Sequence, residues 1–139
     1  MEKFYDYDII NPLNIPDTKI ICNIKGGELK NVDADLLINC DLDSLDYCNC
    51  NIIYNCNINK IYESKINFIE KLNVNKLEKS TIEYIFNSRI QYSPKSTIKY
   101  MYLSLIRCSI DNTFGIIKDS KILYSNKIEN IEQKNEKKY

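Results

Sequence analysis

The chain has 139 residues, a single-domain length, with 19 basic and 19 acidic side chains and no His. Balanced charge removes the global field that draws a protein onto nucleic acid or an anionic membrane. The missing His removes Ser-His-Asp and Cys-His catalysis, and no P-loop, G-x-G-x-x-G or H-E-x-x-H run points to another enzyme class.

Met1–Tyr7 (MEKFYDY) is polar and no apolar signal-peptide core follows it, so the expected compartment is the cytoplasm. There the six Cys are expected as free thiols. Heavy use of Ile, Asn, Lys and Tyr suggests an AT-rich genome, such as that of a low-GC bacterium or its phage. In the phage case the compartment is the host cytoplasm. Residues 1–31 read as a non-repeat N-terminal cap. They hold Pro12 and Pro16, an apolar run Lys19–Ile24 (KIICNI), and a turn at Gly26 and Gly27.

From Val32 to Lys127 the chain divides into 12 rows of eight residues without insertion: VDADLLIN, CDLDSLDY, CNCNIIYN, CNINKIYE, SKINFIEK, LNVNKLEK, STIEYIFN, SRIQYSPK, STIKYMYL, SLIRCSID, NTFGIIKD, SKILYSNK. Position three is apolar in every row, from Ala34 and Leu42 to Phe114 and Ile122. Position one is mostly Cys or Ser, while positions two and four are mostly polar. That alternation is a strand with one buried face, and its Ile, Val and Thr content suits one. Position six is again apolar in most rows. The odd step from three to six demands a bend at positions four and five, and a second bend near seven and eight starts the next row.

At position six the later rows alternate apolar residues with Ser: Ile85, Ser93, Met101, Ser109, Ile117, Ser125. Like stacks on like if two rows make one coil of 16 residues. The expected fold is therefore all-β, a β-solenoid. Three rows per coil and an antiparallel meander are the competing topologies. The final residues, 128–139, read as a charged tail or a short capping helix with Ile128 and Ile131 on one side. If they leave the last coil open, homodimerisation through a solenoid end is expected.

These rows resemble the octapeptide-repeat proteins of phages and low-GC bacteria, whose units read S-x-I-x-x-I-x-x. The resemblance covers residues 32–127 and implies a β-solenoid, a class that hosts many unrelated functions.

Charge is unevenly placed. Residues 31–59 carry Asp33, Asp35, Asp41, Asp43 and Asp46 and no base, whereas residues 60–139 carry 15 bases against nine acids. The Asp cluster is a candidate acidic patch for a basic surface, or simply a solvated face. Cys40, Cys48, Cys50 and Cys56 fall in positions one and three, where other rows place Ser and Ile, so they read as core filler rather than a metal centre. No cofactor is expected.

A Tyr-and-base surface is the main candidate site: Tyr84, Arg89, Tyr92, Lys95, Lys99, Tyr100, Tyr102 and Arg107. Such residues anchor protein interfaces, hold RNA or single-stranded DNA, or form a ladder that only stabilises neighbouring coils. The expected function is a non-enzymatic macromolecule-binding protein. By analogy of type it is an anti-CRISPR-like phage or mobile-element inhibitor that docks on a host defence complex, a protein or ribonucleoprotein. An assembly module of a phage particle and a nucleic-acid-binding protein are the alternatives.

Overall fold

The computed structural model describes residues 19–126 and 132–134. Among them there is no helix. The strands are β1 (Ile20–Cys22), β2 (Glu28–Lys30), β3 (Asp33–Ile38), β4 (Asp41–Asp46), β5 (Asn49–Tyr62), β6 (Lys65–Glu78), β7 (Thr81–Phe86), β8 (Arg89–Pro94), β9 (Thr97–Tyr102), β10 (Leu105–Ile110), β11 (Thr113–Lys118), β12 (Lys121–Ser125) and β13 (Glu132–Lys134). Every pairing is parallel and joins residue i to i+16, as in Asp33↔Asn49 and Thr81↔Thr97. The chain is a β-solenoid of about seven coils with 16 residues in each, so the two-row coil holds. At the usual strand spacing the rod is on the order of 30 Å long.

Rows beginning at residues 32, 48, 64, 80, 96 and 112 stack into one side of the rod, face A. It runs β1, β3, the first half of β5 and of β6, then β7, β9, β11 and β13. Rows beginning at 40, 56, 72, 88, 104 and 120 stack into face B. It runs β2, β4, the second half of β5 and of β6, then β8, β10 and β12. One core lies between them, built from positions three and six: Ile53, Ile61, Ile66, Ile69, Ile82 and Ile85 are fully buried.

Three local devices make an eight-residue row fold this way. Position eight is a corner in the left-handed region: from Asn23 to Asp119 every eighth residue has φ between 45° and 61°. Asn and Asp tolerate this conformation and fill about half of the corners. Tyr47, Glu63, Lys71, Lys79, Lys95 and Leu103 adopt it at a cost of roughly 1–2 kcal/mol each, offset by the stacking of whole coils.

Position one caps that corner. Its side chain accepts a backbone N–H from position one of the preceding coil. Ser64 N–H donates to Ser80 Oγ at 3.1 Å, Ser80 N–H to Ser96 Oγ at 3.1 Å, and Ser88 N–H to Ser104 Oγ at 3.1 Å. A small side chain with an acceptor is required there, because an unpaired buried N–H costs about 1–3 kcal/mol. Ile24, Val32 and Leu72 are the exceptions, and at Leu72 β5 and β6 pair without a break around the corner, through Cys56↔Leu72.

Position four produces the bend. The strand register skips it, and the N–H groups of Asp35 and Leu36 converge on one carbonyl, Lys19 O, at 2.9 and 3.2 Å. The shared carbonyl marks a bend with no inserted residue, since the register stays at i to i+16 on both sides of it. It turns position six inward after position three.

Coil geometry also reaches beyond the expected repeat boundaries. β1 pairs with β3 and β2 with β4 in the same register, so residues 20–31 form part of a coil rather than a non-repeat cap. At the other end β13 pairs with β11 through Ile116↔Glu132, so residues 132–134 continue as strand where a helix was the alternative. The corner-and-cap pattern is what extends: Asn23 and Asn31 already make left-handed corners. The expected cap residues 1–18 and the Ile128/Ile131 side chains lie outside the described residues.

Candidate functional site

The two faces have the same backbone geometry and different outward side chains, so each serves as a control for the other. On face A, position five reads Ile20, Leu36, Ile52, Phe68, Tyr84, Tyr100, Ile116, and position seven reads Cys22, Ile38, Tyr54, Glu70, Phe86, Tyr102, Lys118. On face B the same positions read Ser44, Lys60, Lys76, Tyr92, Cys108, Tyr124 and Asp46, Tyr62, Glu78, Pro94, Ile110, Asn126. Face A therefore carries an apolar and aromatic strip along the rod. These side chains point out of the core: Tyr84 is 48% exposed and Ile116 36%.

The strip is aromatic at its centre. Tyr84 and Tyr100 stack with ring centroids 5.6 Å apart, as a two-row coil requires. Phe86 contacts Phe68, Tyr100 and Tyr102 at 5.3, 6.3 and 5.5 Å. Such pairs contribute about 0.5–1.5 kcal/mol beyond area burial, so part of the strip holds coils together.

The structure divides the Tyr-and-base set between the two faces. Tyr84, Lys99, Tyr100 and Tyr102 stand on face A. Arg89, Tyr92 and Arg107 stand on face B, and Lys95 occupies an exposed corner between them. Lys99 is paired with Glu83 at 3.2 Å. The set is not one continuous surface. Phe68 and Phe86, which complete the aromatic cluster, were not among the expected site residues. Their signal appears only when rows are sorted by 16 rather than by eight.

The acidic residues divide as well, with Asp33 and Asp35 on face A and Asp41, Asp43 and Asp46 on face B. Each is tied into the coil. Asp33 accepts Asn49 Nδ2 at 3.1 Å, Asp35 accepts Lys19 N–H at 2.8 Å, and Asp43 accepts Gly27 N–H at 3.3 Å. Asp41 faces Lys25 at 4.0 Å, and Asp46 accepts Ser44 Oγ at 3.3 Å. Asn side chains continue these ladders, as in Asn75 to Asn59 at 2.6 Å and Asn67 to Asn51 at 2.8 Å.

Cys40, Cys48, Cys50 and Cys56 are buried in positions one and three. Among the described residues no group of three or more His, Cys, Asp or Glu is placed to share a metal ion. Burial pushes the Cys50 thiol up to about 12, with Cys48 and Asp33 adding to the effect. Contact with Cys40, together with burial, pushes Cys56 far above the usual thiol range. The Cys50 and Cys56 thiols are therefore protonated at neutral pH and sequestered from solvent, the opposite of an activated nucleophile.

Among the described residues no helix is long and apolar enough to cross a membrane. No family model, curated protein or solved structure matches the chain.

Proposed function

We propose that this protein is a non-enzymatic binding module that docks another protein on the apolar strip of face A. The observation behind this reading is the contrast between faces. Geometry does not require Ile, Leu, Phe and Tyr at outward positions five and seven, because face B places Ser44, Lys60, Lys76, Asp46 and Glu78 there in its earlier coils and interrupts its apolar residues with them, whereas face A keeps position five apolar or aromatic from Ile20 to Ile116. A half-exposed apolar strip along the rod, rimmed by polar ladders and most exposed at Tyr84 and Ile116, has the character of a protein-binding surface, and Tyr is among the residues enriched at binding hot spots.

Leu103 adds to the strip's edge. It is 53% exposed and occupies a left-handed corner with φ 53°. A Leu gains nothing there from the core and strains the backbone. Partner contact would explain it. A surface-covering inhibitor of a host defence complex needs no catalytic group, and a rigid rod with one sticky side suits that role.

A photo-cross-linking amino acid placed at Tyr100 on face A and, separately, at Gln91 on face B tests the proposal in cells that express the protein natively. The Tyr100 position is expected to capture a discrete protein and the Gln91 position to leave it uncaptured. Equal capture from both positions, or none from Tyr100, refutes the reading.

A further inference from the structure

Face B carries a second surface of different chemistry. From the third coil onward its outward positions two, four and five read Asn57, Asn59, Lys60; Asn73, Asn75, Lys76; Arg89, Gln91, Tyr92; Leu105, Arg107, Cys108; Lys121, Leu123, Tyr124. Five bases and five amides stand there without a carboxylate. The bases are not consumed by the fold. Arg89, Arg107 and Lys121 are exposed and form no salt bridge among the described residues. Lys76 pairs with Glu78 at 3.4 Å and also lies 6.0 Å from the Tyr92 ring.

Two further features give the surface a shape. Tyr92 and Tyr124 are 38% and 56% exposed and flank Cys108 in the position-five ladder. They stand two coils apart, on the order of 10 Å, with a small side chain in the gap. A groove also follows the corner where face A turns into face B. Lys71, Asn73, Arg89 and Lys121 line it, together with Asp119 and with Leu103, which edges the face A strip as well.

We propose that face B binds single-stranded nucleic acid along the rod, its bases contacting phosphates and Tyr92 and Tyr124 stacking on nucleobases. Chain-wide charge balance hides this surface, because most of the offsetting acids lie in other coils or on the other face; on face B itself Glu78 pairs with Lys76, and Glu63 and Asp111 occupy corners. Positive charge at regular spacing tracks a phosphate backbone, and exposed aromatic rings add stacking that no particular sequence is needed to satisfy. The amides offer donors and acceptors to base edges. A duplex would present its bases to neither ring. The proposal uses a different face from the protein-docking strip and stands or falls separately.

Fluorescence anisotropy with 20-nucleotide oligo(U) and oligo(dT) at low salt tests it. The wild-type chain is expected to bind at least one of them more tightly than it binds a duplex of equal length or polyglutamate. Arg89→Gln/Arg107→Gln should weaken binding about tenfold. It should also lower the slope of log affinity against log salt by about 1.4, from roughly 0.7 per lost phosphate contact. Tyr92→Ala/Tyr124→Ala should weaken binding by roughly fivefold or more. Lys99→Glu on face A should leave it unchanged. Thermal melts identify variants that fail to fold, and the single substitutions then replace the doubles. Absence of binding, equal binding to polyglutamate or duplex, or indifference to the Tyr substitutions overturns the proposal.

Discussion

The N-terminal and C-terminal coils solve one geometry with two chemistries. In the early coils the corner cap is a thiol: Cys56 Sγ accepts the Cys40 N–H at 3.4 Å. In the later coils it is a hydroxyl: Ser120 Oγ accepts the Ser104 N–H at 3.0 Å. The early core keeps Leu45, Ile61 and Leu77 at position six of face B, whereas the later coils place Ser93, Ser109 and Ser125 there. Outside, Asp and Asn ladders give way to Tyr and bases. The early coils therefore combine a greasier core with a hydrogen-bonded surface. The later coils have better caps, a more polar interior and more exposed Tyr and basic side chains. The proposed nucleic-acid surface therefore sits where the core is less apolar, as expected if binding elements are drawn from the less stable parts of a fold.

The largest expected effect tests how tightly the later coils are closed. At Gly115 an added Cβ would overlap the carbonyl oxygen of Lys99, a backbone atom that cannot swing aside. Gly115→Ala should cost about 3 kcal/mol, the upper range for overpacking. Gly26 in the first coil has φ 86° and nothing within 4 Å of an added Cβ. Gly26→Ala should cost only about 1 kcal/mol, from backbone strain. Urea unfolding of the two variants measures the difference, and equal costs would mean that the last coils yield as easily as the first.

Alkaline pH is expected to single out the early coils. The folded Cys50 thiol titrates at about 12, against an ordinary value of 9.0, because it is buried. Its folded value is raised, so its contribution is intact below about pH 9 and is lost as pH climbs toward 12. At pH 10.5 the loss should be about 2 kcal/mol relative to pH 8, at 1.36 kcal/mol per unit. Burial pushes Cys48 in the same direction. Cys50→Val should flatten this decline in urea titrations at the two pH values. An unchanged decline would assign it to groups elsewhere.

Leu103→Asn should relax a strained corner in the later coils. Asn tolerates the left-handed region, and the exposed Leu side chain gives up little packing. A gain of about 1 kcal/mol is expected, with weaker photo-cross-linking from Tyr100. A stabilised variant that cross-links as the wild type does would remove Leu103 from the docking strip.

The row pattern was legible in the sequence because burial alternates along a strand and because the apolar/Ser alternation at position six repeats every 16 residues. The left-handed corner was legible only in part. Asn and Asp mark it in many rows, but Lys71 and Tyr47 make the same turn with no side-chain preference for it. Position one read simply as small and buried. Its capping role depends on a partner N–H 16 residues earlier, which no local window contains. The candidate site was read as one patch because Tyr84, Arg89, Tyr92 and Lys99 are neighbours in sequence. The corner at Asn87 places Arg89 and Tyr92 on one face, and the corner at Lys95 returns the chain to the other, which carries Tyr84 and Lys99.

The smallest effect separates two buried serines that the sequence pattern treats alike. Ser93 and Ser109 are register partners at position six. Ser109 Oγ accepts Asn112 Nδ2 at 2.7 Å, and Asn112 Oδ1 in turn accepts the Ser96 N–H at 2.7 Å, so this hydroxyl supports a corner cap. Ser93 is fully buried and its hydroxyl has no partner. Removing an unsatisfied buried hydroxyl relieves its desolvation penalty, whereas removing a partnered one orphans the other group. Ser93→Ala should thus be neutral or stabilising by up to about 0.5 kcal/mol, and Ser109→Ala should cost about 1 kcal/mol. Matched urea titrations resolve the sign. A loss from Ser93→Ala as large as that from Ser109→Ala would mean that its hydroxyl holds the later coils together after all, and the later core would then be polar by construction rather than by tolerance.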